Sequence, residues 1–281
     1  MEKRTLTAGQ MRAFAEYLRR EERTRATVEK YLRDTKAFLV WQKDRAVTKE
    51  SVLAWREHLF ETGLSPVTVN AKLSALNSLF RFLGWEDCRV KFLKIQRRAF
   101  REPSRELTRE EFGRLTETAR NQGRERLELL METICATGIR VSEIRHITVE
   151  AAGRGMAEVR LKGKIRVILL PQKLCRKLLK YARKQKIPAG ELFLTGEGRG
   201  MSRKQIWREM KSLCEEAQVE PSKVFPHNLR HLFATLFYRA CRDIVKLADV
   251  LGHSSIETTR VYLISTGTEH ARWLDRLGVV R

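Results

Sequence analysis

Four consecutive runs of apolar side chains at three- and four-residue intervals open this chain. A strand, which alternates every second residue, cannot accommodate that spacing. Met11, Phe14, Ala15 and Leu18 form the first run, and Val28, Tyr31, Leu32, Thr35, Phe38 and Leu39 the second. The third starts behind Thr48, an expected N-cap, carries Val52, Trp55 and Leu59, and stops at Gly63. The fourth opens on Ser65-Pro66, a cap followed by a proline at the first helical position, where its missing N–H costs nothing. It runs through Val69, Leu73, Leu76, Leu79, Phe80 and Leu83 to Gly84. Four helices with short connections make a small bundle.

The pattern then changes. Residues 86–106 mix charges around Pro103 without a period and read as a basic linker. Thr108 and Glu111 form a capping box, and helices are expected over 109–120 and 124–137, the second broken by Gly138. A short helix is expected from Ser142 to Ile147. Two β-branched runs, 156–161 and 165–170, flank Lys162-Gly163-Lys164 and predict a hairpin that Pro171 ends. The remainder is again mostly helical. The expected fold is therefore mainly α with a small β-hairpin (α+β), divided into a helical domain over 1–88, a linker over 89–106 and a second domain over 107–281.

Charge narrows the partner. The 281 residues carry 56 Lys and Arg against 34 Asp and Glu, a net charge of +22. The excess is spread over both parts of the chain, which suits a phosphate backbone gripped by both. A membrane-surface protein would gather its basic residues on one amphipathic helix, and no run is apolar enough to span a bilayer. The opening Met1-Glu2-Lys3-Arg4 is no secretory signal core. The 5 cysteines (Cys88, Cys135, Cys175, Cys214 and Cys241) are odd in number and lie far apart, so reduced thiols in a cytoplasm are expected.

Three segments concentrate Arg, His and Tyr: Ala136-Thr137-Gly138-Ile139-Arg140-Val141-Ser142-Glu143, Pro226-His227-Asn228-Leu229-Arg230-His231, and Leu251-Gly252-His253 through Tyr262. On a helix begun by Pro226, His227 and Arg230 share a face suited to an oxyanion. His231 points about 100° away from its neighbour, in a packing or supporting position. Arg140 follows a glycine stop that can present it sharply, and Glu143 is placed to hold Arg140 or a neighbouring histidine. Tyr262 could serve as a phosphodiester nucleophile, but a phenol with a pKa of about 10 needs a base and positive charge beside it. Taken singly, each of these residues more often has a packing role in a helical protein.

Taken together, the segments resemble the tyrosine recombinase (phage integrase) family, and within it the short Xer-like and conjugative-transposon branch. The family order of Arg, hairpin Lys, His-x-x-Arg, Leu-Gly-His and Tyr reads here as Arg140, Lys162, His227-Asn-Leu-Arg230, Leu-Gly-His253 and Tyr262. The likeness spans essentially the whole chain. It implies an N-terminal helical, SAM-like core-binding domain and a catalytic domain. It further implies that Tyr262 attacks the scissile phosphate, that Arg140 and Arg230 clamp its non-bridging oxygens, and that His253 donates a further hydrogen bond. His227 would handle the tyrosine proton, Lys162 would protonate the leaving 5′ oxygen, and Glu143 would orient the site. No metal, ATP or other cofactor is implied. The hairpin, Lys162-Gly163-Lys164-Ile165-Arg166, is one residue shorter than the usual Lys-Gly-x-Lys-x-Arg, which leaves Lys164 as the alternative to Lys162.

The implied activity is site-specific recombination through a 3′-phosphotyrosine, in integration and excision, inversion or resolution. The implied partner is double-stranded DNA with short core sites, bound by a homotetramer on two duplexes, in a bacterial cytoplasm at the nucleoid. Large regulated assemblies are not expected, since the first helical run is preceded by so few residues. The competing readings are a type IB topoisomerase-like nicking and rejoining enzyme and an inactive DNA-binding accessory protein. After Tyr262, residues 268–280 form an expected helix carrying Trp273, Leu274 and Leu277, which the resemblance places in a neighbouring subunit.

Overall fold

The computed structural model describes residues 4–43, 45–95, 105–161, 164–262 and 275–276. The chain divides into two compact units, Met1–Arg97 and Arg98–Arg281.

The first unit is the expected bundle: α1 (Ala8–Arg20), α2 (Arg25–Gln42), α3 (Lys49–Glu61) and α4 (Pro66–Leu83). Each helix starts where a hydroxyl accepts an otherwise unpaired backbone N–H, from Thr7, Thr24, Thr48 and Ser65. Gly84 closes α4 with a left-handed turn at φ 72°. The apolar faces meet in a core around Phe38, Val52, Trp55, Leu73, Leu76 and Phe80, with a second cluster around Phe14, Leu18 and Leu79. Residues 89–95 lie against α4. Asn77 exchanges two hydrogen bonds with the Val90 backbone, and Asn70 does the same with Leu93.

The second unit holds α5 (Arg109–Asn121), α6 (Glu125–Thr137), α7 (Val149–Arg154), β1 (Met156–Leu161), β2 (Lys164–Leu169), α8 (Gln172–Lys184), α9 (Arg203–Lys211), α10 (Pro226–Cys241), α11 (Ile244–Leu251) and α12 (Ile256–Arg260). Thr108 and Glu111 make the expected capping box of α5. The segment read as a short helix after Ser142 is a 3-10 helix over Val141–His146. Helix α10 packs on α6, and their apolar faces share a core with α5, α8 and α9 that includes Leu115, Leu130, Met131, Ile134, Leu178, Ile206 and Leu229.

The hairpin corrects the sequence reading. Its second strand starts at Lys164, whose backbone pairs with Leu161, so the turn holds two residues where three were expected. With Ile168 buried and Ile165, Val167 and Leu169 exposed, alternation puts Arg166 on the inward face. Among the described residues, no helix is long and apolar enough to cross a membrane.

Candidate active site

Arg140 is set in place by the end of α6. Gly138 leaves the helix in a left-handed turn (φ 63°), and a Cβ there would lie 2.4 Å from a Phe233 ring carbon and 2.9 Å from Leu251. Only glycine fits both the backbone and the space. Ile139 is fully buried, and Arg140 then caps the 3-10 helix. Its backbone N–H donates to Glu143 Oε2 (3.1 Å) and its Nη1 to Glu143 Oε1 (2.9 Å). Glu143 is 1% exposed, and its Oε2 also accepts from Arg166 Nη1 at 2.9 Å. One buried carboxylate thus holds two guanidiniums.

Arg166 was quoted in the sequence motif without a role. Its Nη2 donates to the Val250 carbonyl at 2.8 Å, and its stem passes so close to Gly252 that a Cβ there would sit 2.4 Å from Arg166 Cδ. Burial is the first cause that pushes this guanidinium down to about 10, and Arg230 and Arg140 add to it, while Glu143 opposes the fall. At neutral pH Arg166 keeps its charge. The signal for Arg166 was available in principle: an arginine at an inward strand position needs a buried partner.

Pro226 starts α10, and His227 and Arg230 lie one turn apart on it. Arg230 is 3% exposed. It donates to the Gly138 carbonyl and, through Nη2, to the Leu251 carbonyl (2.8 Å) and His253 Nε2 (2.9 Å). Burial and then Arg140 lower its pKa, and its interaction with Tyr262 works the other way. His253 follows the left-handed Gly252 that ends α11. Its Nδ1 lies 2.9 Å from Thr259 Oγ1 on α12. Burial, followed by the charges of Arg230, Arg140 and Arg166, drives His253 down to about 4, so it is neutral at physiological pH. His227, which also lines the cavity, is lowered by partial desolvation and then by Arg230.

Tyr262 lies just past α12 and is 4% exposed, packed with Phe233, Ala234, Leu247 and Leu251. Its ring centroid stands 5.0 Å from His231, 5.9 Å from His253 and 6.4 Å from His227. The structure therefore gathers Arg140, Glu143, His227, Arg230, His253 and Tyr262 in one place. Arg140, His227, Arg230, His253 and Tyr262 line a cavity of about 840 Å³ together with Arg203, Lys204 and Trp207 of α9, which the sequence reading did not single out. His231 sits closer to the phenol than its helical position suggested. Lys162 lies outside the described residues. Lys164 is placed by its backbone at the start of β2.

The cavity is lined by Arg140, Arg203, Lys204 and Arg230, while the buried Glu143 carboxylate is already shared by Arg140 and Arg166. A buried excess of positive charge is stabilised by an anion, and fixed N–H donors bind an oxyanion without reorganising. A mainly helical scaffold with one hairpin, carrying arginines, histidines and a tyrosine in this arrangement, defines the class of tyrosine recombinases. The phage integrase family model matches residues 105–268, and that of the phage integrase N-terminal SAM-like domain matches residues 11–87. The tyrosine recombinase XerA of Pyrococcus furiosus is 30% identical over an alignment covering 100% of this chain and 98% of that protein. Its counterpart in Thermococcus kodakarensis is 31% identical over 92% of this chain and 91% of that one. A lambda integrase tetramer bound to a Holliday junction has the same fold, with a TM-score of 0.72 at 18% identity over 90% of this chain and 76% of that chain. The chain belongs to the phage integrase family.

Proposed function

We propose that this enzyme recombines double-stranded DNA at specific short core sites, with Tyr262 as its nucleophile. The observation that carries the assignment is the setting of the Tyr262 ring, enclosed by His227, His231, His253 and Arg230 at a cavity with excess positive charge. The Tyr262 oxygen bonds to phosphorus, and the bond from phosphorus to the 5′ oxygen breaks. The protein is left joined to a 3′ phosphate and the other strand ends in a 5′ hydroxyl. Arg140 and Arg230 hold the non-bridging oxygens as charge builds on them. His253 adds a hydrogen bond, His227 takes the phenol proton, and Lys162 returns one to the leaving oxygen. Glu143 keeps Arg140 in position. Attack by a 5′ hydroxyl from a second duplex reverses the step, so the bond energy stays in the protein link and no ATP or metal enters.

We assign the working unit as a homotetramer on two duplexes, acting in the cytoplasm on nucleoid DNA. The lambda integrase tetramer on its Holliday junction supports that assembly. The tail over 268–280, expected to dock in a neighbouring subunit, lies almost wholly outside the described residues.

The test is a nicked suicide duplex, which traps the covalent adduct. Tyr262→Phe should form none, yet bind DNA as the wild type does, since only the nucleophilic oxygen is removed. Binding should weaken steeply with salt, at a slope of about −0.9 in log K per phosphate contact. Adducts from the phenylalanine variant would overturn the assignment.

A further inference from the structure

The sequence pattern assigns His253 but not the residue that fixes its proton. A guanidinium has only donors, so the 2.9 Å contact from Arg230 Nη2 requires His253 Nε2 to be an unprotonated acceptor. The ring is neutral, which leaves its one proton on Nδ1, 2.9 Å from Thr259 Oγ1. Thr259 is fully buried, and its hydroxyl accepts that proton's hydrogen bond. This tautomer cannot donate from Nε2, the atom in contact with Arg230 in a cavity that both residues line. The free enzyme therefore holds His253 in the form opposite to the one an oxyanion requires.

We propose that Thr259 is a positioning residue that holds His253 in the Nδ1–H tautomer in the free enzyme and in the Nε2–H tautomer once a phosphate occupies the site. A hydroxyl can do both because it accepts or donates by rotating its own hydrogen. When an anion draws the Arg230 guanidinium, Nε2 loses its donor. One proton leaves Nδ1 to water in the cavity and one arrives on Nε2, with no net change in charge. The Thr259 hydroxyl then donates into the bare Nδ1, and Nε2–H points at the oxyanion. This deepens the functional reading above and rests on its assignment of His253 to the bound phosphate.

The position of Thr259 in the chain adds to the argument. It lies on α12, and its backbone carbonyl accepts the N–H of Tyr262 at 3.0 Å. Its side chain thus sets the histidine while its main chain anchors the nucleophile. The groups that face His253 are Arg140 from the turn after α6, Arg166 from β2, His227 and Arg230 from α10, and Tyr262, whose ring stacks on the imidazole at 5.9 Å. None of them accepts a hydrogen bond from Nδ1 in place of Thr259.

The experiment uses the full chain labelled with 15N-histidine, as wild type, Thr259→Val and Thr259→Ser. The substrate is a nicked duplex selected from random sequence by wild-type binding. In the free wild type the His253 nitrogen shifts should report a protonated Nδ1 and a bare Nε2. Valine keeps the shape and removes the hydroxyl: in the free enzyme Arg230 still requires a bare Nε2, but with phosphate bound Nδ1 has no donor and the Nε2–H tautomer is no longer held. Single-turnover adduct formation should then slow by about 10-fold, the scale of one lost hydrogen bond to an active group, with DNA affinity unchanged. Serine should retain the wild-type tautomer and most of the rate. An Nε2–H tautomer in the free wild type overturns the proposal, even if the valine variant fails to fold. So does a valine variant that cleaves like the wild type, or a serine variant as slow as valine. If the wild type itself forms no adduct on DNA it binds, the functional reading fails instead.

Discussion

Replacing Glu143 by Gln removes one charge from a site where a single carboxylate holds two guanidiniums. Its two oxygens each accept a bond of 2.9 Å, from Arg140 and from Arg166. The amide keeps one acceptor and turns an NH2 group toward the other guanidinium, donor against donor. The Arg166 side carries most of the cost, because that side chain is 13% exposed against 39% for Arg140. Leaving a buried charge without its partner costs about 3–5 kcal/mol. For a unit of this size each kcal/mol lowers the midpoint of thermal unfolding by about 2–4 °C, so a drop of roughly 6–20 °C is expected in the transition of the catalytic unit. Cleavage should fall as well, because Arg140 keeps only one of its two ties to residue 143, side-chain or backbone. Non-specific DNA binding at low salt should hold or strengthen, since the protein gains a positive charge. Calorimetry, single-turnover cleavage and a binding titration separate these effects. A glutamine variant that melts within about 2 °C of the wild type would refute the claim that the buried carboxylate holds the arginines.

The hairpin lysines can be told apart by a 5′-thio substrate, whose sulfur leaves without a proton. Lys162→Ala should slow cleavage far more than Lys164→Ala and be rescued by the sulfur; rescue of the Lys164 variant instead would exchange the two roles. The histidines predict a pH dependence of stability. His253 falls to about 4 in the fold and His227 is also lowered, so below the ordinary imidazole range near 6.5 the unfolded chain takes up more protons. The catalytic unit should lose stability as pH falls from about 6.5 toward about 4, and His253→Gln should flatten part of that loss in denaturant titrations. An unchanged slope would contradict a neutral, buried His253.

Local chemistry made much of this protein legible in its sequence. The bundle follows from hydroxyl caps at Thr48 and Ser65, a proline at the first helical position and glycine at Gly84, all of which act within one turn of chain. The catalytic-unit pattern was equally readable, because His227 and Arg230 are one helical turn apart and Glu143 is three residues from Arg140. What spacing does not carry is the meeting of segments distant in the chain. Arg166 reaches Glu143 and the Val250 carbonyl across gaps of 23 and 84 residues. His253 finds Arg230 on one side and Thr259 on the other. Those pairings depend on a strand register that turns Arg166 inward, and on two glycines that let side chains pass where a Cβ would collide. A buried guanidinium or imidazole is decided by whatever the packed core leaves within reach, and that is a property of the folded structure.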